Sequence, residues 1–316
     1  MSTLTARAAP LIAVVAACIV TIITHFSMPV EAAKIIVLKS ADVDVYNDAL
    51  EGFRGASQES ALVEYNMEGN LQRGKKFLAR IKSGPKPDLI LAIGIWALQV
   101  VVEEVQDIPV VFAMVLNPTT VIGQEVRNIT GASMNVPVER QLTLLKKVSP
   151  QIRRVGVIYD PSKTGFLVKQ AERVARDQGL KLITKAIDSP KDTFAALDAM
   201  KDEIDALWIL PDLTVLAPES VQYMLLFSFR YKIPVLGLSE NQVRMGALLG
   251  LSFESGRDIG NQAAELANGI LSGKGAEEIP ITTARKVRLT VNLKTASKLG
   301  IQIPKEILDR ADVVVQ

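Results

Sequence analysis

Short runs of Val, Ile and Leu recur along this chain without the in-and-out alternation of a half-exposed sheet, and stretches with helical spacing separate them. Apolar runs of this kind suit strands covered on both faces, as in a parallel sheet. In the first part of the chain the runs fall at residues 34–39, 61–65, 89–93 and 110–112, with helices expected at 46–57, 71–81 and 95–105. That order is β-α-β-α-β-α-β, the pattern of a doubly wound sheet. The pattern then returns. Strand-like runs at 154–159, 182–187, 206–210 and 235–236 alternate with helical stretches at 165–178, 191–201 and 218–231.

Two pairs of segments make the second half read as a structural repeat of the first. Residues 88–94 (DLILAIG) resemble 205–211 (DALWILP), and 108–111 (IPVV) resemble 233–236 (IPVL). Between the halves, Asn135-Val136-Pro137 precedes a helix marked by Leu142, Leu145 and Val148 and closed by Pro150. A proline just ahead of a helix is both a natural start and a natural hinge. After the second half come a helix over 256–271 stopped by Gly273, a strand over 287–293, and helical tails at 294–300 and 304–311. The fold predicted is α/β: two doubly wound parallel-sheet lobes joined by a multi-strand hinge. Lobe I takes residues 34–134 and 252–283, lobe II takes 135–251 and 284–316, and the chain crosses near 135, 252 and 284.

The N-terminal segment changes the chemistry available to the rest. Residues 11–24 (LIAVVAACIVTIIT) form an apolar run too short for a comfortable membrane span, followed by Met28-Pro29-Val30-Glu31-Ala32-Ala33. This reads as a secretory signal peptide over residues 1–33, cut after Ala32 or Ala33. Retention as an N-terminal anchor, or lipidation at Cys18 within Val15-Ala16-Ala17-Cys18, are the alternatives. Cys18 and His25 are the only Cys and His, and both lie in that segment. A chain that begins near Lys34 has no disulfide, no Cys–His or Ser–His–Asp machinery and no His-ligated zinc. Its 316 residues are 48% hydrophobic and 22% charged, with a formal net charge of +2, so two cores are affordable and no basic surface for nucleic acid stands out.

Open parallel sheets bind ligands beyond the carboxyl ends of their strands, so the loops there are the candidate site. In the first lobe these loops hold Ser40, Asp42 and Asp44, then Gly94-Ile95-Trp96, then Asn117. In the second they hold Asp160, Ser162 and Thr164, then Asp212 and Thr214, then Glu240. The loops feed helix N-termini, whose N–H groups suit an anion. Hydroxyls of Ser162, Thr164 and Thr214 add hydrogen bonds, Asp160, Asp212 and Glu240 accept from ligand donors, and Trp96 offers a stacking face. Asp160 and Asp212 are equally at home as helix N-caps, and Trp208, inside a strand, reads as core. No Walker loop, no strand-linked G-x-G-x-x-G and no nucleophile elbow is present. Glu103-Glu104 reads as solvated surface, and Asp42 with Asp44 as at most a cation site.

The stretches Asp88–Gly94, Asp107–Phe112, Asn128–Gly131, Arg154–Tyr159, Gly260–Glu265, Val291–Ala296, Leu299–Pro304 and Ile307–Asp312 together resemble the ABC-transporter substrate-binding proteins of the family with tryptophan-binding members and the type I periplasmic-binding fold. The resemblance spans essentially the whole chain after residue 33. It implies a protein that captures a small solute and hands it to a permease in the inner membrane, without fixing the solute; the signal peptide places it in the periplasm, and a monomer and a solute such as an amino acid or similar metabolite are expected. No cofactor, no metal, no nucleic-acid partner and no enzymatic activity are expected. Related proteins also serve sensory receptors, and an enzyme working without His or Cys is the remaining alternative. The first loop, Ser40-Ala41-Asp42-Val43-Asp44-Val45, is shorter and more acidic than in many members.

Overall fold

In a computed structural model of the protein, the described residues are 32–58, 60–123 and 127–316. The signal reading covers residues 1–33, of which only Ala32 and Ala33 are described, and Cys18 lies outside the described residues.

The first sheet is built from β1 (Ala33–Lys39), β2 (Ser60–Asn66), β3 (Leu89–Ile93), β4 (Val110–Val115) and β5 (Ile129–Ser133). Its strand order is β2-β1-β3-β4-β5, and every pairing is parallel. β3, β4 and β5 are buried along their whole length, as unalternating runs require. The helices α1 (Asp44–Ala56), α2 (Leu71–Lys82), α3 (Ile95–Glu104) and the single turn α4 (Thr119–Ile122) connect these strands. One core lies on each face of the sheet, one around Phe53, Leu91 and Val111 and the other around Met67, Leu98 and Phe112.

β5 was not among the expected strands, and its sequence explains why. Ile129-Thr130-Gly131-Ala132-Ser133 is buried on both faces yet made mostly of small residues. Gly131 packs so close that a β-carbon there would stand 2.4 Å from the Phe112 carbonyl oxygen. A strand that fills a tight slot carries no apolar run to read.

The helix α5 (Val138–Val148) leads into the second sheet. This holds β6 (Arg154–Tyr159), β7 (Lys181–Ala186), β8 (Ala206–Trp208), β9 (Val235–Gly237), β10 (Leu249–Phe253), β11 (Val287–Asn292) and β12 (Val313–Val315). The order is β12-β11-β10-β9-β8-β6-β7. The β7-β6-β8-β9-β10 portion repeats the order of the first sheet. The β10–β11 pair is antiparallel, so this sheet is mixed where an all-parallel one was expected. β11 is reached by a return of the chain from the first lobe rather than by a crossover helix, and that return allows the reversed direction. The connecting helices are α6 (Pro161–Asp177), α7 (Thr193–Met200), α8 (Pro218–Tyr231) and α9 (Glu240–Met245). α6 starts earlier than its apolar spacing suggests, because Asp160 caps it and Pro161 occupies its first turn.

After β10 the chain passes back to the first lobe, where α10 (Gly256–Leu271) packs along α1. It returns through residues 284–286 to β11, followed by α11 (Leu293–Leu299) and α12 (Lys305–Leu308). The contact of α10 with α1 needs glycine. A β-carbon on Gly260 would lie 1.9 Å from the Ala49 carbonyl oxygen, and one on Gly256 would lie 2.2 Å from that of Val45.

The repeat seen in the sequence is a repeat of hydrogen bonds. Asp88 accepts from the Lys34 N–H at 2.8 Å, at the start of β1, and Asp205 accepts from the Arg153 and Arg154 N–H groups at 2.9 and 2.8 Å, at the start of β6. Ile90 donates to the Pro109 carbonyl and Leu207 to the Pro234 carbonyl, both at 2.9 Å. Corresponding residues of the two Asp-led runs and the two Ile-Pro-Val runs hold corresponding places in the two sheets.

Candidate functional site

The strand order reverses between β1 and β3 in the first sheet and between β6 and β8 in the second. Loops leaving such a switch point diverge and leave a crevice. A cavity of about 370 Å³ lies there, lined from the first lobe by Tyr46, Ile95, Met114, Thr120, Val121 and Met134 and from the second by Ser162, Lys163, Pro211 and Leu213. Leu116 and Asn117 complete its wall. The volume falls within the range of small-molecule sites.

The first-lobe wall is built on Gly94 and Ser40. Gly94 has φ of +88°, and a β-carbon there would stand 2.6 Å from Ser40 Oγ and 2.7 Å from Tyr46 Oη. Only glycine lets the Tyr46 ring cross the head of α3. Ser40 is buried, and its Oγ accepts from the Ala97 N–H at 2.9 Å, so it caps α3 from the neighbouring strand end. Ile95 and Trp96, the first residues of α3, have no acceptor for their N–H groups within the helix. Burial holds the Tyr46 phenol above its usual pKa, so it remains a hydroxyl donor at neutral pH.

Two residues of this wall carry unusual backbone. Met114 (φ 58°) and Asn117 (φ 49°) both lie in the left-handed region. Met114 sits where the β4–β5 register shifts, and the bulge turns its side chain to the cavity. Asn117 exchanges two hydrogen bonds of 3.0 Å with Asn135, from its own N–H to Asn135 Oδ1 and from Asn135 Nδ2 to its Oδ1. Its Nδ2 donates to the Pro211 carbonyl of the second lobe. A strained residue held from both sides is the pattern expected where function fixes geometry.

The second-lobe wall rests on two interlocked carboxylates. Asp212 is fully buried, and its Oδ2 accepts from the Asp160 N–H at 2.8 Å and from the Thr164 hydroxyl. Its Oδ1 accepts from the Thr214 N–H at 2.9 Å. Asp160 caps α6: Oδ1 accepts from the Ser162 N–H at 2.9 Å and its hydroxyl at 2.7 Å, and Oδ2 accepts from the Thr214 hydroxyl at 2.8 Å. These hydrogen bonds, that of the Ser162 side chain first, hold the Asp160 carboxyl below its usual range. The network fastens the loop after β6 to the loop after β8.

Of the residues selected from the sequence, Asn117 and Ser162 line the cavity. Gly94 and Ser40 shape its wall from behind, and Asp160, Thr164, Asp212 and Thr214 form the lock beneath its second-lobe side. Asp42, Trp96 and Glu240 are not among its lining residues. Asp42 accepts from Lys39 Nζ at 3.2 Å and from Asn47 Nδ2 at 3.0 Å, and these bonds, Asn47 first, lower its pKa. Trp96 is 44% exposed and lies against the Gly69 turn, while Glu240 pairs with Arg244 at 2.6 Å on the surface of α9. Asp44 opens α1. Trp208 is core, its Nε1 donating to Gln141 Oε1 at 2.8 Å.

The cavity also uses Tyr46, Thr120, Lys163 and Leu213, which the loop reading did not select. Lys163 carried a usable signal. It is a cation in the first turn of α6, where the helix dipole disfavours positive charge, so packing gains nothing from it. Tyr46 carried none, because a tyrosine on an amphipathic helix reads as core.

Residues 30–315 match the family profile described as ABC transporter substrate binding protein. The chain is 26% identical over 226 residues to a tyrosine-binding protein of Clostridioides difficile strain R20291, covering 69% of this chain and 64% of that relative, so less than two thirds of the relative's length is matched. A ligand-free, open substrate-binding protein with adhesive properties from Clostridium difficile superposes with a TM-score of 0.71 at 22% identity, covering 90% of this chain and 100% of that one. An ABC domain in complex with L-Trp from Streptococcus pneumonia gives a TM-score of 0.63 at 21% identity, with the same coverage. These likenesses show the type I periplasmic-binding fold.

Proposed function

This chain belongs to the ABC transporter substrate-binding protein family, and from that premise we propose that it is the solute-capturing component of an ABC importer, taking a small amphiphilic carboxylate into the cavity between its lobes. One observation carries the reading. The cavity at the paired switch points is shared by both lobes, with Tyr46 and Ile95 on one side and Ser162, Lys163 and Leu213 on the other. A solute held from both sides binds a closed arrangement better than an open one, and that difference is what shifts the population toward closure. A membrane permease that reads closure completes the cycle.

The apolar side chains of Ile95, Met114, Leu116, Val121, Met134 and Leu213 suit an apolar body, and Lys163 suits an anionic end. Amino acids with apolar or aromatic side chains have both, and a relative's name and a solved relative's ligand are of that kind. Substrate-binding proteins of ABC importers are extracytoplasmic, and among the described residues no helix is long and apolar enough to cross a membrane. We place the chain in the periplasm, as a monomer in the service of a permease.

A thermal-shift screen of the purified protein against amino acids and small carboxylates tests the proposal. A true solute at about 100 times its Kd stabilises the chain by about 2.7 kcal/mol. A screen in which nothing in these classes raises the melting temperature in a dose-dependent way would remove the reading.

A further inference from the structure

We infer that the site recognises its solute by a carboxylate and an apolar body and makes no use of an ammonium group, so that a deaminated acid is as good a ligand as the amino acid it corresponds to. The inference rests on the solute-binding reading above and narrows it.

Two donors facing the cavity, Lys163 and Tyr46, favour an anion. Lys163 brings a full positive charge on an exposed side chain, and among the described residues no carboxylate lies within 4.0 Å of its Nζ. The Tyr46 hydroxyl lies on the opposite wall, beside the N-terminus of α3. That helix is capped by the neutral hydroxyl of Ser40, so its dipole remains uncompensated by any capping charge. A carboxylate between α3 and Lys163 would touch both lobes at once.

An ammonium group finds the reverse. Among the described lining residues none is acidic. Each oxygen of Asp160 and of Asp212 already accepts from the protein, and the Asp160 charge acts on Lys163, three residues further along the chain. Asp212 is buried away from the cavity altogether. A cation would therefore lose its water beside Lys163 and among Met114, Leu116 and Met134 with no acidic lining residue to pair with, and a charge left without a direct partner in such surroundings is costly.

Matched sets of three ligands test this by isothermal titration of the protein freed of carried-through solute. Each set holds an amino acid, its deaminated acid and its decarboxylated amine: L-tyrosine, 3-(4-hydroxyphenyl)propanoate and tyramine; L-tryptophan, indole-3-propanoate and tryptamine; L-leucine, 4-methylpentanoate and isopentylamine. In a set that binds, the deaminated acid is expected within about tenfold of the amino acid, and the amine at least about a hundredfold weaker. Lys163→Met should weaken both acids alike, by about tenfold or more, and leave the melting temperature of the ligand-free chain unchanged. Amino acids that bind while their deaminated acids fall beyond tenfold would overturn the inference and leave solute capture standing. Unchanged affinity in Lys163→Met would overturn it also. Failure of every acid and every amino acid would take the solute reading down with it.

Discussion

The carboxylates of Asp160 and Asp212 show how a residue can be chosen rightly by type and still be used for a purpose the sequence leaves open. Both stand in loops that border the cavity, yet their oxygens fasten the loop after β6 to the loop after β8. An acid beside a helix start serves as a cap or as a ligand contact, and only the position of its neighbours decides between them. The lock has a pH signature. Hydrogen bonds from Ser162 and Thr214 hold the Asp160 carboxyl below its unfolded value. Its contribution to stability is therefore complete above about pH 4 and is lost as pH falls through the lower folded value. Asp160→Asn should flatten the acid side of the melting-temperature profile between about pH 5 and pH 3 relative to the unaltered protein. Parallel profiles over that range would show that the charge of Asp160 does not stabilise the fold.

At the scale of elements, helices and strands with their own periodic signal were legible. The spacing gave β3 and β6 at their observed bounds, and likewise α8 and α10. What was missed lacked a local pattern. β5 is made of small residues in a tight slot, β10 begins Leu249-Gly250-Leu251, and β12 is a three-residue edge. The short α9 after Ser239 read as a loop for the same reason. The α1–α10 contact is a tertiary fact of this kind, since two helices far apart in sequence meet through Gly260 and Ala49. It supports a prediction in which two effects have opposite signs. Helix propensity alone makes Gly260→Ala stabilising by about 1 kcal/mol. A β-carbon 1.9 Å from the Ala49 carbonyl oxygen forces the helices apart, and overpacking of that sort costs about 1–3 kcal/mol. Packing wins, and urea unfolding should show a lower midpoint for the variant. A higher midpoint would mean that the helices separate freely.

For the whole molecule, the informative feature is an exposed leucine at the lip of the cavity. Leu213 is 80% exposed although it lines the site. Exposed apolar side chains beside a cleft are well placed to be covered when the lobes approach over a solute. Fully burying a leucine side chain is worth about 1.5–3 kcal/mol. Leu213→Ala should leave ligand-free stability within about 0.5 kcal/mol, as for other surface changes, and weaken solute binding by about tenfold. Equal affinity in the variant, measured by titration with the solute found in the thermal screen, would mean that the lip does not close on it.

The sequence by itself determined the α/β class, the two sets of strands, their repeat and the loops at the strand ends. Each of these follows from local periodicity or from short segments whose hydrogen bonds are repeated in both sheets. It also brought the family resemblance into view, because that rests on segments spread along the chain. The tertiary structure alone decided which side chains from those loops face the cavity. Tyr46 reaches it across Gly94 from α1, and Met134 joins from the far end of β5. Asp160 and Asp212 are not among the lining residues, and their oxygens accept from donors of each other's loops. Facing is set by packing between segments far apart in the chain, and no local pattern records it.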